Sequence, residues 1–390
     1  MSKRIGLEVS LAVSEAVKLC DVDVVAAYPI TPQTHIVEHL AELVAEGELD
    51  AEFVPVESEH SAMSACIGSS AAGARTFTAT ASQGLALMHE ILYIASTMRL
   101  PIVLSVANRA LSAPISIWND HSDIMAERDT GWIQLFAENG QEVLDLTIQA
   151  FRIGEHPDVL LPVAVNLDGF TLSHVIEPIM MPDKEEVQRF LPPFQPQMRL
   201  DPAHPLSMGM FGIPEIYSES HKDVDEALCR SKAVIIQVWK EFEDLFGRSY
   251  APVEQYKAED AETIFVTMGS ISETAMTAVD EMRQAGLPAG LVRLRLWRPF
   301  PDEEFKAAVK SAKKIAVIDR CLTMGSHANP VAQEIRSLLY PLADRPAVFN
   351  FTLGIGGRDV RREDFKYIYN QCQALINKGQ ERFEMVGVME

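Results

Sequence analysis

Short apolar runs alternating with helical segments of about a dozen residues predict an α/β protein: a doubly wound, mostly parallel sheet and, after it, a second α/β domain. Three observations carry that reading. The runs 24–28, 53–56, 76–80, 101–107 and 159–165 are short strand-like segments, most of them largely apolar, as buried strands are. The first four each stop at a Pro-, Gly- or polar-rich turn, and helical periodicity resumes soon afterwards. The same rhythm restarts near Glu262, with strands expected at 263–267, 289–296, 314–319 and 347–352.

In chain order, residues 6–20 read as an amphipathic helix with apolar residues at Leu7, Leu11, Val13, Ala16, Val17 and Leu19. The strand 24–28 ends at Pro29-Ile30-Thr31-Pro32, where two prolines stop the ladder. A helix over 34–45 is closed by Gly47. The strand 53–56 runs into Glu57-Ser58-Glu59-His60, and the helix that follows is made largely of Ala, Ser and Gly, so another backbone or a flat ligand can approach it closely. After 76–80 comes the turn Ser82-Gln83-Gly84 and a helix over 85–98; the strand 101–107 delivers Asn108-Arg109. Prolines crowd 176–220, which is expected to be an extended connection on the surface or against a partner, followed by one helix over 224–246. Helices at 273–285, 302–312 and 331–339, and one after Gly354-Ile355-Gly356-Gly357, complete the second unit. The expected division is 1–175, 176–258 and 259–390.

The 390 residues carry a formal charge of −21, which argues against nucleic acid or an anionic membrane as partner. Five dispersed cysteines offer no C-x-x-C and no zinc spacing, and together with the lack of a signal peptide they point to a reducing cytoplasm. No uninterrupted apolar stretch is long enough to predict a membrane-crossing helix.

Thr31, Glu59, Ser82-Gln83 and Asn108-Arg109 each follow a strand. One such residue is ordinarily a helix cap, but parallel strands would bring all four to one rim, where α/β sheets bind ligands. Arg109 suits a two-pronged grip on a carboxylate, and Thr31 adds a hydroxyl donor. Glu59 is preferred to Glu57 because it stands at a helix start. In the polar cluster 118–123, Asp120 and Ser122 are expected to cap a short helix and leave His121 exposed, although His121 is also a candidate acid or base. Asp168-Gly169 reads as structural, and Gly354–Gly357 only weakly resembles a phosphate loop. No metal-ligating set is found.

Taken together, Tyr28-Pro29-Ile30-Thr31-Pro32-Gln33-Thr34, Glu57-Ser58-Glu59-His60, Ser82-Gln83-Gly84, Asn108-Arg109-Ala110, Asp120-His121-Ser122-Asp123 and Gly356-Gly357-Arg358-Asp359 resemble the alpha subunit of 2-oxoacid:ferredoxin oxidoreductases of the split-subunit type, over nearly the whole chain. The resemblance implies a thiamine-diphosphate pyrimidine-binding domain followed by a transketolase-C-terminal-like domain. It implies that Glu59 hydrogen-bonds the aminopyrimidine ring, favouring the tautomer that takes the thiazolium proton. Pro29, Ile30, Ser82 and Gln83 would line the cofactor, while Thr31, Arg109 and Asn108 would hold the oxoacid. The chain lacks a Gly-Asp-Gly…Asn signature and an iron–sulfur cysteine cluster. By resemblance, the diphosphate and Mg2+ site lies on a beta subunit and the [4Fe-4S] clusters on partner chains, with a gamma and a ferredoxin-like subunit completing the complex and coenzyme A as co-substrate. Pyruvate is the expected oxoacid. Gln33-Thr34 departs from the Ser-Ser of single-chain pyruvate enzymes, and Trp118, expected beside the pocket, would admit an aryl substrate such as phenylglyoxylate, or a branched-chain or indole oxoacid. A reading of another class is a non-catalytic α/β assembly subunit with a vestigial crevice.

Overall fold

A computed structural model describes residues 3–389. The chain begins with β1 (Lys3–Glu8), α1 (Val9–Leu19), β2 (Val24–Ala27), α2 (Thr34–Ala45), β3 (Glu52–Pro55), α3 (Glu59–Ala71), β4 (Thr76–Thr80) and α4 (Ser82–Thr97). It continues through β5 (Val103–Asn108), α5 (Ser122–Ala126), β6 (Ile133–Phe136), α6 (Gly140–Gly154), β7 (Val163–Asp168), β8 (Ile176–Met181), α7 (Lys184–Phe190) and α8 (Pro214–Phe246). The second half contributes β9 (Val253–Tyr256), β10 (Thr263–Thr267), α9 (Ile271–Gln284), β11 (Ala289–Leu294), β12 (Leu296–Arg298), α10 (Asp302–Ala308), β13 (Lys314–Asp319), α11 (Pro330–Leu339), β14 (Ala347–Thr352), α12 (Arg362–Leu375) and β15 (Glu384–Met385).

The first sheet runs β12-β6-β7-β5-β4-β2-β3. All its pairings are parallel except β12 against β6, so β2, β3, β4 and β5 open toward one rim. The second sheet runs β15-β14-β13-β10-β11-β9, parallel apart from β9. One apolar core packs α1, α2, α6 and α8 on one face of the first sheet. Another packs α3 and α4 on the opposite face and continues without a break into the second unit through Trp297, Phe305 and Ile335.

The seam between the sheets is electrostatic as well as apolar. Glu142, at the start of α6, is bridged by Arg293 at 2.7 Å and 2.8 Å and by Arg295 at 2.7 Å, and Glu254 closes on both arginines. Burial alone would raise the Glu142 carboxyl, but the two guanidiniums hold it at about 2. A charge this deep is tolerated because it is paired and multiply hydrogen-bonded.

Several elements differ from expectation; the strand expected at 159–165 is Val163–Asp168, and the stretch expected to be extended contains β8 and α7. Residues 3–8 form a strand, not the start of a helix, because they pair antiparallel with β8 in a separate two-stranded ribbon. The long helix begins at Pro214 rather than 224; proline is favoured in the first turn, where no N–H is needed. The chain expected as one strand over 289–296 breaks after Leu294, and Leu296–Arg298 crosses to the first sheet beside β6. Among the described residues no helix is long and apolar enough to cross a membrane.

Candidate active site

The turn after β2 is held by Gln33, which is fully buried. Its Nε2 donates to the Ala79 carbonyl at 2.7 Å and its Oε1 accepts from Ile30 N at 3.3 Å. Gln33 is therefore a strut, with Pro29, Ile30 and Thr31 arched above it. Thr31 itself is exposed, and its carbonyl accepts from Arg109 Nη1 at 2.9 Å. Arg109 Nε donates to the Ser116 carbonyl at 2.6 Å. Burial lowers the Arg109 pKa, offset by the nearby Asp123 carboxylate.

At the end of β3, Ser58 caps α3 by accepting from Ser61 N, which leaves Glu59 in the first helical turn. Glu59 is 6% exposed and has no hydrogen-bond partner among the described residues, although a buried carboxylate ordinarily finds one. Its oxygen lies against the bare backbone of Gly84, where a Cβ would sit 2.6 Å from Oε1. Glu57, the rival candidate, is spent on Ser61 Oγ at 2.5 Å and faces solvent.

At the end of β4, Ser82 has a left-handed backbone (φ 46°) and is enclosed. Its Oγ donates toward the Ala110 carbonyl and Gln83 Oε1, each 2.7 Å away, and Gln83 Nε2 reaches Ser112 Oγ. Asn108, at the end of β5, is fully buried; its amide donates to Asp123 Oδ1 at 3.0 Å and Asn166 Oδ1 at 3.2 Å. Contacts thus run from Glu59 to Gly84, from Ser82 to Asp123, and from Arg109 to Thr31. The sites scattered along the sequence meet on one rim.

His121 does not lie on the surface as expected. It is 2% exposed, and Nε2 meets Asp168 Oδ1 at 2.9 Å. Asp168 also pairs with Arg320 at 2.9 Å and accepts from Ser270 N at 2.8 Å, both from the second unit. Burial opposes its charge, but Arg320 and His121 hold the carboxyl well below the ordinary range. Trp118 packs beside Phe170, with centroids 5.0 Å apart, and a Cβ on Gly357 would run into it. Asp123 and Gly84 are the features sequence reasoning passed over. Asp123 was visible only as a member of the polar cluster, and Gly84 only as a turn residue. Among the described residues no group of three or more His, Cys, Asp or Glu is arranged to hold a metal ion.

The fold is of the α/β type found in a split-gene transketolase, which matches 97% of this chain with a TM-score of 0.54 at 11% identity. The family model described as pyruvate flavodoxin/ferredoxin oxidoreductase, thiamine diphosphate-binding, matches residues 15–240, and that of pyruvate:ferredoxin oxidoreductase core domain II matches 261–365. The chain is 53% identical over 365 residues to pyruvate synthase subunit PorA of Methanocaldococcus jannaschii, covering 93% of each. It is 44% identical to ketoisovalerate oxidoreductase subunit VorA of Pyrococcus horikoshii, covering 92% of this chain and 91% of the relative. Its fold matches that of the 2-oxoglutarate:ferredoxin oxidoreductase from Magnetococcus marinus, solved with 2-oxoglutarate, coenzyme A and succinyl-CoA bound. That likeness has a TM-score of 0.72 at 20% identity and covers 96% of this chain but 65% of the other. The chain belongs to the 2-oxoacid:ferredoxin oxidoreductase family as an alpha-type, oxidoreductase subunit.

Proposed function

We propose that this chain supplies the aminopyrimidine half of a thiamine diphosphate site in a complex that oxidatively decarboxylates pyruvate to acetyl-CoA. The observation that carries the reading is Glu59: a buried carboxylate with no partner of its own, beside a residue whose missing side chain leaves room for it. An acceptor in a largely enclosed crevice that no group of the chain satisfies is open to a ligand's donor, and a ring nitrogen that shares a proton fits it. When bound, thiamine diphosphate supplies the electron sink that lets a 2-oxoacid lose carbon dioxide. Glu59 holds and exchanges the proton at the aminopyrimidine nitrogen, in an enclosed site where that hydrogen bond is strong. Arg109 and the Thr31 hydroxyl orient the oxoacid carboxylate. Gln83 and the arch at Pro29 and Ile30 border the ring. Asn108, being enclosed, serves from behind rather than meeting substrate.

Diphosphate and Mg2+ would be held by a beta-type partner, [4Fe-4S] clusters on other subunits would take up the electrons, and coenzyme A would accept the acyl group. The high identity to pyruvate synthase subunits supports pyruvate as the oxoacid. The test is calorimetric titration with thiamine diphosphate and Mg2+, on the chain alone and co-purified with its beta-type partner. Assays follow with pyruvate and 2-oxoisovalerate, coenzyme A and a low-potential dye. Binding only in the assembled form, with coenzyme A-dependent reduction on pyruvate, is expected. Tight binding by the chain alone, or an assembled complex inert toward both oxoacids, overturns the reading.

A further inference from the structure

The residue joining the most site elements is one assigned no role so far. Asp123 is 1% exposed, and both of its carboxylate oxygens are fully used. Oδ2 accepts from Arg109 N at 2.9 Å and Ser82 N at 3.1 Å; Oδ1 accepts from the Asn108 amide at 3.0 Å and Ile124 N at 2.8 Å. All four partners are N–H donors, so only an acceptor-only group fits; a side-chain amide would aim its NH2 at two of them in either orientation. One of the four, Ser82, carries a backbone conformation that L residues seldom adopt, and such conformations persist only where the surroundings over-determine them.

The opposite flank of the same segment is clamped by the second unit. Asp120 Oδ2 accepts from Gly356 N at 3.0 Å, and His121 N donates to the Arg320 carbonyl at 2.8 Å. Asp123 is therefore held at a fixed height above the ends of β4 and β5.

We propose that Asp123 is the positioning residue of the oxoacid side of the site, setting the main chain at Ser82 and Arg109 so that Arg109 meets the substrate carboxylate. The inference rests on the reading of Arg109 given above. The electrostatics of the carboxylate point the same way. Burial pushes the Asp123 carboxyl up to about 6 against the pull of its four donors. Arg109 just beyond β5, Glu127 just beyond α5 and Cys321 from the second unit are the titratable groups around it. Protonation puts an O–H donor where N–H donors converge, so Arg109 should lose its register below about pH 6.

The experiment uses the assembled complex with pyruvate, which stays ionised throughout the range tested. In the wild type, KM for pyruvate should rise below about pH 6 while bound thiamine diphosphate, measured separately, is retained. A KM flat from pH 5.5 to 8 overturns the proposal without any variant. Asp123→Asn should raise KM about tenfold or more and lower kcat/KM about a hundredfold at neutral pH, without the acid-side change. Cofactor occupancy should stay near wild type, while the thermal midpoint should fall by only a few degrees, since the amide leaves buried N–H donors facing its own NH2. Wild-type kinetics, or activity lost only in step with occupancy and midpoint, overturns it. Arg109→Ala run in parallel separates the two claims. If it leaves KM unmoved, the oxoacid reading fails; if it raises KM and Asp123→Asn does not, only the role of Asp123 fails.

Discussion

Gly84→Ala tests the half-site most sharply, because it adds one methyl group and no charge. The new Cβ would lie 2.6 Å from Glu59 Oε1 and 2.8 Å from Glu59 Cγ, and closer still to Thr80 Oγ1. Carbon contacts become comfortable at about 3.5 Å, so the carboxylate must retreat by about 1 Å. A displacement of that size from a reacting geometry costs about a hundredfold in rate, or about 2.7 kcal/mol of barrier. Stability should respond far less. Overpacking costs about 1–3 kcal/mol, and replacing a helical glycine with alanine returns roughly 1 kcal/mol, so the net is about 2 kcal/mol at most. The assay is kcat of the assembled complex on pyruvate alongside its thermal midpoint. A fall of about a hundredfold with a midpoint lowered by only a few degrees is expected. Turnover equal to wild type would show that the Glu59 position is not what the chemistry depends on.

Glu59→Gln should leave the fold and midpoint nearly unchanged, since Glu59 makes no hydrogen bond within the chain to lose, while decarboxylation falls by about 10²–10⁴. Undiminished turnover, with cofactor occupancy checked, would dismiss it. Arg109→Ala removes the grip on the oxoacid carboxylate and frees the Thr31 and Ser116 carbonyls, so KM for pyruvate should rise by the equivalent of about 2–4 kcal/mol; steady-state kinetics decides it. Asp168→Asn leaves Arg320 buried beside a neutral amide and should cost about 3 kcal/mol, read by denaturant unfolding. The folded Asp168 carboxyl titrates below its unfolded value. Its contribution is therefore fully present above about pH 4 and is lost only as the pH falls further, so the gap between wild type and variant should close in acid.

The strands 76–80, 263–267, 314–319 and 347–352 and the helix 34–45 stand where the sequence places them. These strands are short runs rich in Thr, Val, Ile and Phe and largely buried on both faces, and α2 has one clear apolar stripe. The reading passes over β6, only four residues long, and α6, although Gln141, Asp145, Gln149 and Arg152 give that helix a polar stripe; folding encloses most of the stripe, with Asp145 and Gln149 fully buried. β1 and β8 were missed because each becomes a strand only by pairing with the other, about 170 residues away. His121 was expected outside because its neighbours look like caps; its partner, Asp168, lies 47 residues further on.

What the sequence alone determined was local: which segments become strands and helices, which polar residues follow a strand, and hence that Thr31, Glu59, Ser82 and Arg109 share a rim once the strands run parallel. What tertiary structure decided was how each of those groups is held. Glu59 is left without a partner beside Gly84, Asn108 is turned inward, and Asp123 gathers donors from β4 and β5. Hydrophobic periodicity is written along the chain and can be read one segment at a time. The satisfaction of a buried hydrogen-bonding group depends on residues that come near only when the chain closes on itself.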